Sequence, residues 1–138
     1  MQLRLLTIAA CLLLFSSLAL AGPPTAISGD DTHQRTLRSF KSFATSWMDK
    51  MERVELRNRT SPQIRSHGAR NLVTYKGYGG DFKIEIKQTG YPKAPFVGLL
   101  RYTEQHFTCT DKRATRCQIA STIPVTEIFR FQDGRWVY

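Results

Sequence analysis

The chain has 138 residues and a formal charge of +9, from 20 basic and 11 acidic side chains. That length holds one domain and excludes a multidomain enzyme. The basic residues are spread along the chain with no run of five or six, so there is no basic tail and nucleic acid is not an expected partner.

The first 21 residues read as a secretory signal peptide. Residues 1–4 are a short start carrying Arg4, residues 5–20 are apolar, and Ala19-Leu20-Ala21 is a small-x-small cleavage site. The alternative is a lipobox, Ile8-Ala9-Ala10-Cys11, which would make a lipoprotein anchored at Cys11. Only about six apolar residues would then precede the cysteine, fewer than a signal core normally has. Cleavage after Ala21 leaves residues 22–138, with 19 basic and 11 acidic side chains and a charge of +8. The expected plan is a signal peptide over 1–21, a flexible Pro/Gly leader over 22–31 and a single domain over 32–138. Charge spread in this way reads first as ordinary solubility, and otherwise as a surface for anionic partners: membrane lipid, cell-wall polymer, an acidic protein or, least expected, nucleic acid. Cys11 leaves with the signal. Export puts the remaining pair, Cys109 and Cys117, in an oxidising compartment, where they are expected to bond. Without a second cysteine pair or a His-x-x-x-His, no metal or cofactor site is expected.

Asp31 and Gln34 form a capping-box pattern. A helix is predicted over residues 33–57, because Leu37, Phe40, Ala44, Trp47, Met48, Met51 and Val54 or Leu56 recur three and four apart. That stripe reads as core. Asn58-Arg59-Thr60 is an N-glycosylation sequon. Ser61-Pro62 ends the helix, and residues 63–68 read as a loop. Residues 69–76 predict a strand and residues 77–80 a hairpin turn. The three glycines there do not precede a helix, so they make no phosphate cradle. Over residues 81–88, Phe82, Ile84 and Ile86 alternate with Lys83, Glu85 and Lys87: a strand with one wet face, and hence an antiparallel sheet. Residues 96–109 predict a long strand that must bend, with Gly98 as the candidate bend or bulge. A second long strand follows, interrupted at Pro124, and Asp133-Gly134 predicts a two-residue hairpin into residues 135–138.

Pairing Cys109 with Cys117 fixes a register in which facing residue numbers share one sum. It puts Val97, Leu99, Phe107, Ile119, Ile123, Val125, Phe129 and Phe131 on the cysteine side, towards the helix. Tyr102, Glu104 and His106 then look away, with Phe96, Leu100 and Ile128 as apolar exceptions. Pairing across Asp133-Gly134 sets Phe131 opposite Trp136 on that same apolar side. The expected fold is α+β: one long N-terminal helix on a curled antiparallel sheet of about five strands. One helix followed by such a sheet, ending in Phe129-Arg-Phe-Gln-Asp-Gly-Arg-Trp-Val-Tyr138, resembles the cystatin-like and nuclear-transport-factor-2-like α+β rolls. The cystatin-like form is the nearer, because no second or third helix is visible. Neither resemblance carries functional residues over to this chain.

In that register Arg101 and Glu127 are charges on the apolar side and diagonal neighbours. They read as a rim ion pair, as a bulge, or, with Tyr102 near by, as the polar part of a ligand-binding concavity. Glu104 and His106 point the same way from one strand. A small basic exported protein with Glu, His and Arg on strands resembles microbial ribonucleases, and that resemblance implies a general base and acid. Lys112, Arg113 and Arg116 at the tip of the disulfide hairpin form a candidate contact for an anionic partner. The expected function is a non-catalytic exported binding or accessory protein of the bacterial envelope, its partner an unidentified protein or anionic ligand. The alternatives are a ribonuclease-like hydrolase on Glu104 and His106, or a basic module binding an anionic polymer.

Overall fold

The computed structural model describes residues 29–68 and 70–138; the signal peptide, the lipobox and most of the leader lie outside them. Helix α1 (Gly29–Thr60) is followed by six strands: β1 (Gln63–His67), β2 (Arg70–Tyr78), β3 (Lys83–Gln88), β4 (Phe96–Cys109), β5 (Cys117–Gln132) and β6 (Arg135–Val137). All pairings are antiparallel, in the order β1-β2-β4-β5-β6, with β3 joined to β4 beside β2. This is the expected α+β arrangement of one helix on a curled sheet.

The helix is longer than its sequence pattern, 32 residues against 25, because polar residues at both ends continue it. Asp30 and Asp31 fall inside the first turn, where they complement the positive end of the helix dipole. Asp31 pairs with Arg35 rather than capping the helix. Gly29, Asp30 and Asp31 are therefore helix and not leader. The sixth strand is β1, expected as a loop: its single large apolar residue, Ile64, cannot show an alternation.

Thr36, Phe40, Ala44 and Met48 form the buried stripe of α1. Phe40, Ala44 and Met48 pack on Ile86, Phe96, Leu100, Tyr102, Phe129 and Trp136. Phe40 lies 4.5 Å from Trp136 and 6.1 Å from Phe129, ring centre to ring centre, and Trp47 stacks on Tyr138. The aromatic ending of the chain thus meets the helix as its alternation predicts. The hairpin turn is also as predicted, with Asp133 and Gly134 both at positive φ and Phe131 opposite Trp136.

The β4–β5 register follows the disulfide for three pairs and then slips. Phe107 faces Ile119, but His106 faces Ser121, leaving Ala120 as an extra residue in β5. From there to Phe96 every pair is displaced by one. The half of β4 that faces the helix is therefore Phe96, Gly98, Leu100 and Tyr102, not Val97 and Leu99. The apparent exceptions Phe96 and Leu100 are core, both nearly inaccessible. On β5 the slip keeps Val125, Phe129 and Phe131 on the inner side. Cys109 and Cys117, which are bonded, lie with Phe107 on the outer side. There the hairpin tip folds back and buries Ala114 against Val73 and Tyr75.

Residues 77–80 are not a hairpin turn. Strands β2 and β3 do not pair; they lie end to end along one edge of β4. The Gly79 N–H crosses to the Thr103 carbonyl at 2.8 Å. The last turns of α1 reach the opposite edge of β2. Glu55 accepts the Tyr78 N–H at 2.8 Å, and the Asn58 amide donates to the Lys76 carbonyl at 2.9 Å. These bonds satisfy backbone groups that point away from β4. The sequon asparagine is thus a helical residue clamped to a strand edge.

Candidate binding groove

The bulge decides which side chains share a face. Along β4, Leu100, Tyr102, Glu104, His106 and Thr108 alternate inward without interruption. Glu104 and His106 therefore do not look away from the helix side; they continue it beyond the point where the helix leaves the sheet. The ladders add neighbours on the same face: Thr74 beside Thr108, Lys76 and Ser121 on either side of His106, and Gln63 beside Thr74. Asn58 and Ser61 at the end of α1 wall the other side. The result is an open groove of about 500 Å³ whose lining carries the cations Arg65 and Lys76 and the imidazole of His106.

Glu104 organises this groove. Its Oε1 lies 2.9 Å from Lys76 Nζ and 2.6 Å from His106 Nε2, and the carboxylate is 19% exposed. Burial raises its pKa, but the hydrogen bonds and charges of Lys76 and His106 outweigh this and hold the carboxyl below its usual value. The Lys76 ammonium is correspondingly raised, by the same hydrogen bond. One ionised carboxylate thus fixes two cation-capable groups at the groove floor.

A depressed carboxyl stabilises the fold above its unfolded pKa of about 4.3, and that stability is lost as pH falls through the folded value. Glu104→Gln should therefore flatten the acid limb of a stability–pH profile measured by urea melts and, because it also removes the hydrogen bond that raises Lys76, flatten the alkaline limb above the ordinary lysine range. An acid limb identical to that of the wild type would show that Glu104 is not held ionised by its neighbours.

The other expected site residues are not gathered into one place. Arg101 lies on the outer face, exposed, with its guanidinium 2.9 Å from Glu85 across β3. An exposed pair of this kind contributes about 0–1 kcal/mol. Glu127 is on the inner face and accepts the Tyr102 hydroxyl at 3.1 Å. Burial and the Glu127 charge push the Tyr102 phenol far above its usual value. Arg101 and Glu127 are therefore not diagonal partners, because the bulge puts them on opposite faces. The concavity expected around them is filled by Phe40, Leu100 and Phe129, each wholly buried. Lys112, Arg113 and Arg116 are all exposed at the hairpin tip. Asp111 sits among them and accepts the backbone N–H groups of Arg113, Thr115 and Arg116. These bonds, led by that from Thr115, hold its carboxyl below the usual value.

Sequence reasoning missed Arg65, Lys76, Thr108 and Ser121. Each is an ordinary polar residue on its own strand, and only the ladder makes them neighbours of His106. Among the described residues, no group of His, Cys, Asp and Glu side chains is placed to hold a metal ion, and no helix is long and apolar enough to cross a membrane. Compared with protein-family models, with curated proteins and with solved structures, the chain matches none.

Proposed function

We propose that this is a non-catalytic exported binding module of the bacterial envelope, and that the groove at the end of α1 holds an anionic ligand. The observation that carries this reading is the placement of Arg65, Lys76 and His106 around one open groove. Hydroxyls of Thr74, Thr108 and Ser121 supply neutral hydrogen-bond donors beside them. Such a lining suits a phosphate, sulfate or carboxylate group presented by a small molecule or a polymer end. The disulfide fits an oxidising compartment. A cystatin-like kinship is part of this proposal and rests on the one-helix, curled-sheet arrangement.

The test is a heteronuclear NMR titration with inorganic phosphate and with a short polyphosphate. Amide shifts should cluster at residues 74–76, 106–108 and 121. Lys76→Glu combined with Arg65→Glu should abolish them without changing the fold. Shifts confined to residues 112–116 would place the anionic contact at the hairpin tip and overturn the groove reading.

The hydrolase reading draws on one specific contact, the 2.6 Å approach of His106 to Glu104. Its difficulty is chemical. A general base works best with a pKa near the operating pH, and Glu104 is held below the ordinary carboxylate value and already bonded to Lys76. A ribonuclease assay with Glu104→Gln and His106→Ala as controls separates the two readings: turnover lost in both variants would establish the hydrolase.

A further inference from the structure

Strand β5 is paired to β4 along almost its whole length, but β6 covers its other edge only at Arg130, Phe131 and Gln132. Among the described residues, the edge over 117–129 has no strand beside it. Most of this stretch is exposed, including Ile119 at 50%, Ile123 at 44% and Ile128 at 57%. Residues 117–126 (Cys-Gln-Ile-Ala-Ser-Thr-Ile-Pro-Val-Thr) carry no charge in a chain of net +9. Edge strands are normally kept single by charged side chains, by prolines or by being short. This one is long, uncharged and rich in β-branched residues, and it is interrupted only at Pro124 and at the Ala120 bulge.

The hydrogen-bond directions show what the edge offers. Thr103 gives its carbonyl to Gly79, away from β5. Its partner Pro124 therefore points its backbone at the free edge, where a missing N–H breaks no bond to β4. By alternation, Thr122, Thr126 and Ile128 aim their N–H and C=O groups the same way.

We propose that this edge is a homodimer interface in which two copies pair β5 with β5, antiparallel, about a two-fold axis near Thr122. The charge pattern selects a second copy. The neutral stretch is bounded by Arg116 at one end and Glu127 at the other, so antiparallel pairing sets Arg116 of each copy level with Glu127 of the other. Two strongly basic chains repel elsewhere, and this strip is where they can meet without opposing like charges. An acidic partner, by contrast, would find nothing on the strip to attract it. The pairing is isologous and closes, as a two-fold contact must. Because the groove reaches β5 at Ser121, the two grooves of the dimer adjoin across the axis.

Sedimentation velocity on the purified chain over a concentration series tests this. A monomer–dimer equilibrium is expected. Thr122→Lys puts two like charges against each other at the axis and should raise the dimer Kd by at least about tenfold. Thr45→Lys, adding the same charge to the exposed side of α1, should leave it unchanged. Thr126→Lys gives a second reading on the same edge should the first variant melt early. A chain that stays monomeric overturns the proposal and leaves the edge to a different chain. A dimer indifferent to lysine at both Thr122 and Thr126 overturns it as well. Phosphate titration of a monomeric variant keeps the groove's fate separate from that of the edge.

Discussion

Gly98→Ala should lower the stability of the domain by about 3 kcal/mol, from a single added methyl group. A Cβ at this position would lie 2.4 Å from two ring carbons of Phe40 and 2.7 Å from a third. Ordinary van der Waals contact needs more than a further ångström. The ring cannot easily yield, because it is fully buried and held between Phe129 and Trp136. Overpacking a core usually costs about 1–3 kcal/mol, and expelling a phenylalanine about 3–5 kcal/mol; this substitution lies where the two ranges meet. For a domain of this size the melting temperature should fall by roughly 10–15 °C. Phe40→Leu on its own also destabilises, by opening a gap. Combined with Gly98→Ala the two should be clearly less than additive, since each relieves the other's error. Thermal melts of the two single variants and the double variant measure that coupling. If Gly98→Ala melts within a degree or two of the wild type, Phe40 is not seated on β4 as described.

Gly98 also shows how the sequence can locate a residue and still misstate its role. An isolated glycine in a long strand is a signal of irregularity, and a bend or bulge is the ordinary reading. Here Gly98 pairs regularly with Ile86 on one side and Phe129 on the other, and its missing side chain makes room for an aromatic ring from another element. The irregularity sits at Ala120, a residue with no distinguishing chemistry in a run of small and β-branched neighbours. Nothing local marks it, because a bulge is a property of two strands taken together. Its consequences are large, since one extra residue reverses the face assignment of half a strand. The helix stripe, the disulfide and the Asp133-Gly134 turn were legible because each signal is contained within a few residues. The groove was not. Glu104 and His106 are visible as a pair, but Lys76 joins them through the β2–β4 ladder and Ser121 through the slipped β4–β5 ladder.

Replacing both Cys109 and Cys117 by alanine should cost about 2.6 kcal/mol, the chain-entropy value for a closed loop of nine residues. The bond joins directly facing residues of β4 and β5, eight apart in sequence. That cost should lower the melting temperature by about 10 °C. The loss should also be local in character. The tip has its own support: Asp111 collects three backbone N–H groups, Arg59 reaches the Ala114 carbonyl, and Ala114 is buried under the loop. The first residues of β5 have much less, being exposed with a free edge beyond them. Hydrogen exchange should therefore speed up most at residues 117–121 in the disulfide-free variant, while amides around Gly98 and Phe129, beneath α1, keep their protection. Loss of protection beneath the helix at the same rate would mean that the disulfide holds the whole sheet and not one end of it. Fraying of 117–121 would also remove the first half of the proposed β5–β5 ladder. The disulfide-free chain should thus dimerise more weakly than its melting temperature alone implies, and sedimentation at a temperature where both forms are folded separates the two effects.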